Sequence, residues 1–435
     1  MKFSDMILAA ALFCSPASPL AAQTEIAFWH AFSGGLAELM STQVDAFNAA
    51  QNDVIVTAVR KGDYGQTLRA GLEALGADDR PNLLMVDDVG SAAMVSTPSA
   101  FKPLHDVMVM RDPEFTGDTY IPGIRALFSD LDGRMLSLPF NTSTPVLWVN
   151  RDALAATGID PEVDLSTWEQ VNDVLSLLKA AGSTCPLTTS WPSWIHLENF
   201  SAYHDVPFAT QANGLGGRDA ALALNSAAQV AHINALGVWA QEGKFVYEGR
   251  RNAAGAKFRA GECALLTESS AAYASIHASA DFDVDVRPLP YWPALVDGPQ
   301  NSTVGGGSIW IMEGQTEAEY QATAAFLAYL SAADTQARWH QATGYLPITY
   351  NAVQLTRAQG FYATNPGTDV AVTQISVDVL TDNSRGVRLN ALDLLRGIIN
   401  EELEAVWSGE ADAQSALDSA QRRGDAVLRR FNQAN

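Results

Sequence analysis

The side chains of this sequence that could do chemistry are hydroxyls, amides, carboxylates and indoles, and they form no catalytic motif. The chain contains no GxSxG elbow, HExxH helix, Walker sequence or EF-hand loop, and its seven histidines form no pair at metal-ligand spacing. Such side chains can hold a polar ligand by hydrogen bonds and stacking, but they lack a nucleophile with its base. We therefore expect recognition rather than catalysis, with no cofactor and no metal ion.

Three strand-like segments near the beginning of the chain end in polar or aromatic residues. The endings are Trp29-His30, Lys61 to Tyr64, and Asp87-Asp88. The segments alternate with helical patterns, which predicts an α/β fold with a mostly parallel sheet. Ligands bind at the carboxyl ends of such strands, so the three endings together predict a cleft, although each alone is also compatible with a solvated loop.

Two further segments carry small polar or flexible residues beside predicted strands. Gly305, Gly306 and Gly307 precede the strand-like run 309–312, and they allow close approach of the backbone to a ligand. The glycines lack the lysine and spacing of a nucleotide P-loop. Ser269-Ser270 stands at the carboxyl end of a predicted strand at 261–267.

The loop at 188–194 is rich in Ser, Thr and Pro and holds Trp191 and Trp194. Large aromatic side chains are unusual in such a loop. The two indoles either anchor the loop in the core or form a stacking platform for a small ligand. The sequence leaves both interpretations open.

The stretch Pro139–Pro145 lies between the strand-like runs 135–138 and 146–149. Both prolines favour extended backbone in the residue before them. We interpret the stretch as a crossing from one lobe to another beside the cleft. The alternative is a polar turn between two strands of one sheet.

Later patterns predict a helix at 164–181 with a capping box, and further helices at 218–242, 254–260, 317–332 and 413–431. A strand is predicted at 282–289. Arg396 is placed on a helix that begins near Ala391.

The length of 435 residues exceeds what one core supports and predicts two or three lobes. Hydrophobic residues make up 47% and charged residues 17%, as in ordinary globular proteins. The formal charge of −22 argues against nucleic acid or an anionic membrane surface as a partner.

Residues 1–22 have the pattern of a secretory signal peptide, which predicts export to the periplasm. Cys14 is a poor lipidation site because the bulky Phe13 precedes it. In an oxidising compartment, Cys185 and Cys263 are most simply a disulfide, and the alternative is two buried thiols.

Several longer segments resemble one family, the extracellular solute-binding proteins of bacterial ABC importers. The similar segments are 26–30, 139–146, 194–201, 339–349 and 401–407. The resemblance implies a two-lobed, type II-like α/β fold, a ligand buried between lobes joined by hinge crossings, a monomer, and a membrane permease with its ATPase as partners. The implied lobes are 23–141 plus 287–332 and 142–286 plus 333–435.

The resemblance also implies a ligand set when the family's contacts are carried over by position. The set is Tyr64, Asp88, Ser143, Trp191, Trp194, Ser269, Ser270, Gly306, Tyr345 and Arg396. Within the family the motifs are most similar to those of members that bind sn-glycerol-3-phosphate. The alternatives are a glycerophosphodiester such as glycerophosphocholine, a sugar, or, from another class, a secreted phosphodiesterase.

The chemistry of this set suits a phosphorylated polyol. Arg396 with hydroxyl and backbone N–H donors can offset the desolvation of a phosphate. A carboxylate accepts from hydroxyls and repels phosphate, so we expect Asp88 at the opposite end of the ligand. The family usually has glutamate at this position, and the shorter side chain leaves room for a bridging water.

Overall fold

The computed structural model describes residues 23–434 apart from 78, 98 and 378. The predicted signal peptide and Cys14 therefore lie outside the described residues. The strands are β1 Thr24–His30, β2 Val54–Arg60, β3 Leu83–Asp87, β4 Phe101–Lys102, β5 Leu138–Ser143, β6 Pro145–Asn150, β7 Leu187–Thr189, β8 Phe245–Tyr247, β9 Leu265–Ser269, β10 Val284–Arg287 and β11 Gly305–Met312.

The strands form two mixed sheets. The first has the order β2-β1-β3-β11-β4, with β5 also paired to β11, and the second has the order β10-β6-β9-β7-β8. In the first sheet β1 lies parallel to β2 and β3, while β11 is antiparallel to β3. The parallel arrangement brings the carboxyl ends of the first three strands to one edge, as the sequence predicted.

The helices cover these sheets. They are α1 Gly35–Ala50, α2 Tyr64–Glu73, α3 Ser91–Ser96, α4 Leu104–Arg111, α5 Pro122–Arg125, α6 Arg151–Ala156, α7 Trp168–Ala180, α8 Phe200–Tyr203, α9 Thr210–Asn213, α10 Ala227–Gln241, α11 Ala253–Arg259, α12 Tyr273–His277, α13 Glu317–Ser331, α14 Ala333–Thr343, α15 Tyr350–Ala358, α16 Phe361–Thr364, α17 Val370–Gln374, α18 Leu392–Ser408 and α19 Ala413–Ala434. A π-helix spans Trp194–Asn199, and 3₁₀ turns span Asp88–Gly90, Gly117–Thr119, Ala126–Phe128 and Ser270–Ala272.

Two helices begin later than predicted because their caps lie further along the chain. Thr167 forms the capping box of α7, so this helix begins at residue 168 instead of 164. Ser226 caps α10 in the same way, and the prediction of a helix from residue 218 was wrong. The backbone N–H groups of Leu222 and Leu224 instead donate to side chains of α19, which holds this segment against that helix.

The chain crosses from the first sheet to the second at Thr144. β5 pairs with β11 of the first sheet, and β6 pairs with β9 and β10 of the second. Thr144 Oγ1 lies 2.6 Å from Ser302 Oγ. The lobe crossing predicted for this stretch is confirmed, and the single-sheet turn is wrong. β5 begins only at Leu138, because the carbonyl of Met135 instead accepts a hydrogen bond from the His105 N–H.

The later return to the first sheet lies between β10 and β11. Tyr291 pairs with Thr167, and Gln300 N–H donates to the Tyr203 carbonyl, so residues 291–300 pack with elements around the second sheet. These contacts favour a return crossing near Val304. The lobe boundaries given by the sequence stay predictions.

Cys185 and Cys263 form a disulfide. They precede β7 and β9, which are parallel neighbours with Leu187 opposite Leu265. The bond joins the beginnings of two central strands across 78 residues of sequence. Within the described parts of the chain, none of the helices has the length and hydropathy of a membrane span.

We predict that replacing both cysteines with serine lowers the free energy of unfolding by about 2–4 kcal/mol, because the unfolded chain loses a long closed loop. Denaturant titration measures this difference between the variant and the wild type, both of them without residues 1–22. Thiol titration of the denatured, unreduced wild type is the control. Two reactive thiols, or unchanged stability, would contradict the prediction.

Candidate ligand-binding site

The predicted strand endings meet at one edge of the first sheet. Lys61 Nζ lies 3.6 Å from the centre of the Trp29 ring. Asp63 caps α2, which makes Tyr64 the first residue of that helix. Asp87 caps the turn Asp88–Gly90 directly after β3. Local capping therefore fixes Tyr64 and Asp88 at this edge.

Tyr64 contacts residues of β5 and β11. Its hydroxyl accepts from Asn141 Nδ2 at 2.6 Å. A Cβ at Gly307 would lie 3.4 Å from the Tyr64 hydroxyl and 2.7 Å from Asn141 Oδ1, so glycine is needed there. Burial raises the pKa of Tyr64 and of Tyr345, and an interaction with the Asn141 side chain lowers both. Both phenols therefore stay protonated and can donate to a ligand.

Gly306 is the second position where a glycine is required. Its φ is +112°, and an added Cβ would lie 2.2 Å from the Asn141 carbonyl oxygen. The Gly306 N–H donates to Asp88 Oδ1 at 3.2 Å. The glycine segment thus approaches other parts of the protein closely, and its backbone donor holds a carboxylate.

The two tryptophans pack in one small aromatic cluster, and Trp194 lies beside the glycine strand of the first sheet. Trp194 is buried, and a Cβ at Gly305 would be 3.0 Å from its ring. Trp191 is partly buried and packs in the same small cluster. Its φ of +47° is an outlier for an aromatic residue and marks local strain, which is frequent at ligand sites. Trp194 is thus both a buried anchor and a neighbour of the glycine strand.

A chain of buried histidines holds the π-helix that begins at Trp194. Trp292 Nε1 can only donate, and it lies 3.1 Å from His232 Nδ1. His232 Nε2 must then donate to His196 Nδ1 at 3.2 Å, and His196 Nε2 to Thr189 Oγ1 at 2.9 Å. Burial lowers the pKa of His196 to about 3 and that of His232 well below its ordinary value. Both rings are therefore neutral.

Arg396 of α18 binds two carboxylates. Its Nε and Nη2 donate to Glu198 Oε1 and Oε2 at 2.7 and 2.8 Å. Its Nη2 also donates to Asp88 Oδ2 at 2.8 Å. The expectation that Asp88 and Arg396 lie at opposite ends of a ligand is therefore wrong, since they are in direct contact. The short side chain of Asp88 reaches both Gly306, in β11 of the first sheet, and Arg396, on α18.

Sequence reasoning missed Glu198, although it lies within segment 194–201 that carried the family resemblance. It is only 3% exposed. A buried glutamate in that segment implies a cationic partner, which was the available signal. Glu198 comes from the π-helix and thus joins the tryptophan loop to α18.

The carboxylates around Arg396 outnumber it. Burial lowers the pKa of Arg396, but Glu198 and Asp88 raise it by more, so the net shift is upward. Burial raises the pKa of Glu198. Burial and the neighbouring Asp88 raise the pKa of Asp87 to about 7. Burial and the crowding of carboxylates around one guanidinium therefore oppose the ionised forms of Asp87 and Glu198, whereas Arg396 favours them.

The serines lie at the crossing. Ser269 Oγ donates to Ser143 Oγ at 2.8 Å, and Ser143 is opposite Gly305 in the register of β5 with β11. Ser270 Oγ lies 3.4 Å from Thr144 N. The Leu346 N–H donates to the Thr142 carbonyl, which brings Tyr345 to the same strand. The sequence-predicted ligand residues thus lie near β5, the glycine strand or Arg396, except for Trp191, which packs in the cluster of Trp194. Their contact with a ligand stays a prediction.

Among the residues that the structure describes, no group of three or more His, Cys, Asp or Glu side chains is placed to hold a metal ion. The arrangement consists of hydroxyl, phenol and guanidinium donors with carboxylate acceptors. It can bind a polar anion with hydroxyl groups.

A family model, described as bacterial extracellular solute-binding protein, matches residues 42–368. The chain is 41% identical to the sn-glycerol-3-phosphate-binding periplasmic protein UgpB of Yersinia pseudotuberculosis over 415 residues, which cover 95% of this chain and 94% of that protein. It is also 41% identical to UgpB of Escherichia coli over 414 residues, with 95% and 94% covered.

Two solved structures show the same fold. UgpB of Mycobacterium tuberculosis in complex with glycerophosphocholine has a TM-score of 0.77 and 22% identity, covering 94% of this chain and 100% of that chain. The cyclic α-maltosyl-1,6-maltose binding protein of Arthrobacter globiformis has a TM-score of 0.77 and 22% identity, covering 94% and 99%.

The neutral histidines predict a pH dependence of stability. Above pH 6.5 an unfolded histidine is also neutral, whereas between about pH 3 and 6.5 only the unfolded state takes up the proton. Stability contributed by His196 is therefore lost as the pH falls below 6.5. We predict that His196→Gln reduces the slope of unfolding free energy against pH, between pH 4 and 6, by about 1.4 kcal/mol per pH unit.

Denaturant unfolding at several pH values measures both slopes. His105→Gln is the control, since that ring lies outside the buried chain and contacts Phe115. The slope of this control should match the wild type. Parallel curves for His196→Gln and the wild type would show that the buried imidazole is not neutral.

Proposed function

The chain belongs to the bacterial extracellular solute-binding proteins, and we propose that it captures sn-glycerol-3-phosphate in the periplasm and passes it to an ABC importer. In this family two α/β lobes close around the solute, and a membrane permease with its ATPase accepts it. The named relatives at 41% identity support this ligand. The neighbours at 22% identity support the fold alone.

The observation that carries the proposal is Arg396 at the junction of the sheets. None of the described residues accepts a hydrogen bond from its Nη1, while its Nε and Nη2 are engaged. Its side chain retains 20% exposure, so one edge of the guanidinium can meet an anion.

The other predicted contacts supply a suitable surface around that edge. The phenols of Tyr64 and Tyr345 and the hydroxyls of Ser143 and Ser269 are donors to phosphate or partners for glycerol hydroxyls. Asp88 can accept from a hydroxyl only if it shares its oxygens with Arg396 and Gly306. We infer that the site binds without chemical conversion, since the described residues around Arg396 include no pair of nucleophile and base.

A glycerophosphodiester is the second candidate, and the charge of the site favours it. Arg396, Glu198 and Asp88 together carry −1, so a singly charged diester meets less repulsion than a doubly charged monoester. Calorimetric titration with sn-glycerol-3-phosphate and glycerophosphocholine ranks the two. Failure of both to bind would contradict the proposed function.

We predict that Arg396→Ala weakens phosphate-ligand binding by several kcal/mol, because the anion loses its charged partner. Calorimetric titration measures the dissociation constant, and thermal unfolding checks the fold. Arg250→Ala is the matched control, because Arg250 makes an exposed ion pair with Glu404, which lies on the same helix as Arg396. A loss of less than tenfold, about 1.4 kcal/mol, would show that Arg396 does not hold the anion.

We predict that Trp191→Ala and Trp194→Ala each weaken binding, since Trp194 lies against Gly305 and Trp191 packs in the same cluster. We also predict that ligand changes tryptophan fluorescence. Trp310→Phe is the control. This indole is buried in the first sheet, and its Nε1 has no hydrogen-bond partner among the described residues. Normal affinity in both alanine variants would identify the indoles as core anchors only.

A further inference from the structure

Glu198 is a buried carboxylate in the site, and it is not one of the proposed ligand contacts. Its two oxygens accept hydrogen bonds from Nε and Nη2 of Arg396, which makes a side-on ion pair. It comes from the π-helix, which the histidine chain anchors to Thr189, whereas Asp88 comes from the first sheet. Glu198 thus orients the Arg396 guanidinium from the side of the cleft opposite to Asp88.

The side-on pair determines which donors remain for a ligand. Two of the three guanidinium nitrogens face Glu198, and Nη2 also faces Asp88. A phosphate therefore meets Arg396 through Nη1 and not through the bidentate fork that this side chain usually offers. Glu198 acts through Arg396, so it is a positioning residue.

Glu198 also changes the charge that a ligand meets. Arg396 alone would contribute +1, the pair with Glu198 is neutral, and Asp88 makes the trio −1. Coulomb energy is proportional to the product of the charges, so Glu198 opposes a phosphate dianion about twice as strongly as a monoanion. Burial at 3% exposure limits the screening of this interaction by solvent.

We propose that Glu198 is a specificity-determining residue, which fixes Arg396 side-on and lowers the affinity of the site for doubly charged phosphate ligands more than its affinity for singly charged ones. The inference rests on the proposed function, because it concerns phosphate ligands of the same site. It concerns the charge of the ligand, whereas the proposed function concerns the class of compound.

The test compares the affinities for sn-glycerol-3-phosphate, a dianion at pH 8, and glycerophosphoglycerol, a diester with one negative charge and no cationic group. In Glu198→Gln the amide cannot accept both Arg396 hydrogen bonds, so both affinities can fall. The ratio of monoester to diester affinity should nevertheless rise about tenfold or more, because the removed charge opposed the dianion more strongly.

Two variants separate charge from structure. Glu198→Asp keeps the charge but withdraws the oxygens, so both affinities should fall while their ratio stays near that of the wild type. Glu404→Gln removes a carboxylate from α18, the helix of Arg396, where Glu404 pairs with the exposed Arg250. That variant should leave both affinities unchanged.

An unchanged ratio in Glu198→Gln, within about twofold, would overturn the inference. If this variant does not fold, Glu198→Ala, which removes the same charge, supplies the test, and its monoester-to-diester ratio should rise in the same way. An unchanged ratio in that variant likewise overturns the inference. Absence of binding by both ligands to the wild type contradicts the proposed function instead.

Discussion

The interaction on which the site depends is the ion pair of Arg396 with carboxylates from both sides of the cleft. A buried guanidinium is tolerated only when it is paired and hydrogen-bonded, and removal of one partner from such a group typically costs about 3–5 kcal/mol. Asp88 follows β3 of the first sheet, and Glu198 lies on the π-helix beside the second. These ion pairs therefore require the turn after β3, the π-helix and α18 to converge on one guanidinium.

The crossing at Thr144 joins two independent sheets, and such a connection is compatible with closure of a cleft between them. A single residue separates β5 from β6, so small backbone rotations there change the angle between the sheets. The Thr144 hydroxyl contacts Ser302, and Gln374 Nε2 donates to the Pro145 carbonyl, so the hinge is bonded to its neighbours. A ligand shifts the population toward closure only through contacts that the open form lacks. The ion pair of Asp88 with Arg396 is a contact across the site that the protein makes without a ligand.

Much of the fold was predictable from local pattern. The alternation of apolar runs and amphipathic helices gave the parallel part of the first sheet, and Pro139 with Pro145 indicated the crossing. Helix beginnings were predicted less well, because Ser226 was not recognised as the cap of α10 and residues 218–225 pack against α19 through long-range hydrogen bonds. The ligand residues came from the family resemblance. Their mutual arrangement was not predictable, because the contact between Asp88 and Arg396 joins residues 308 positions apart.

Glu198 shows why the missing part of the site escaped sequence reasoning. A glutamate in an aromatic-rich segment has no periodicity that distinguishes a buried position from an exposed one. Its burial follows from the π-helix, a form that occurs often at functional sites. Within that helix His196 bonds toward β7, Trp194 packs on Gly305, and Glu198 binds Arg396. The strained backbone at Trp191 lies three residues before this helix, and such strain persists only where surrounding contacts over-determine it. The Trp191 N–H donates to the Arg251 carbonyl, and its own carbonyl accepts from the Ile195 N–H, so hydrogen bonds on both sides hold this residue at the start of the segment that carries Glu198.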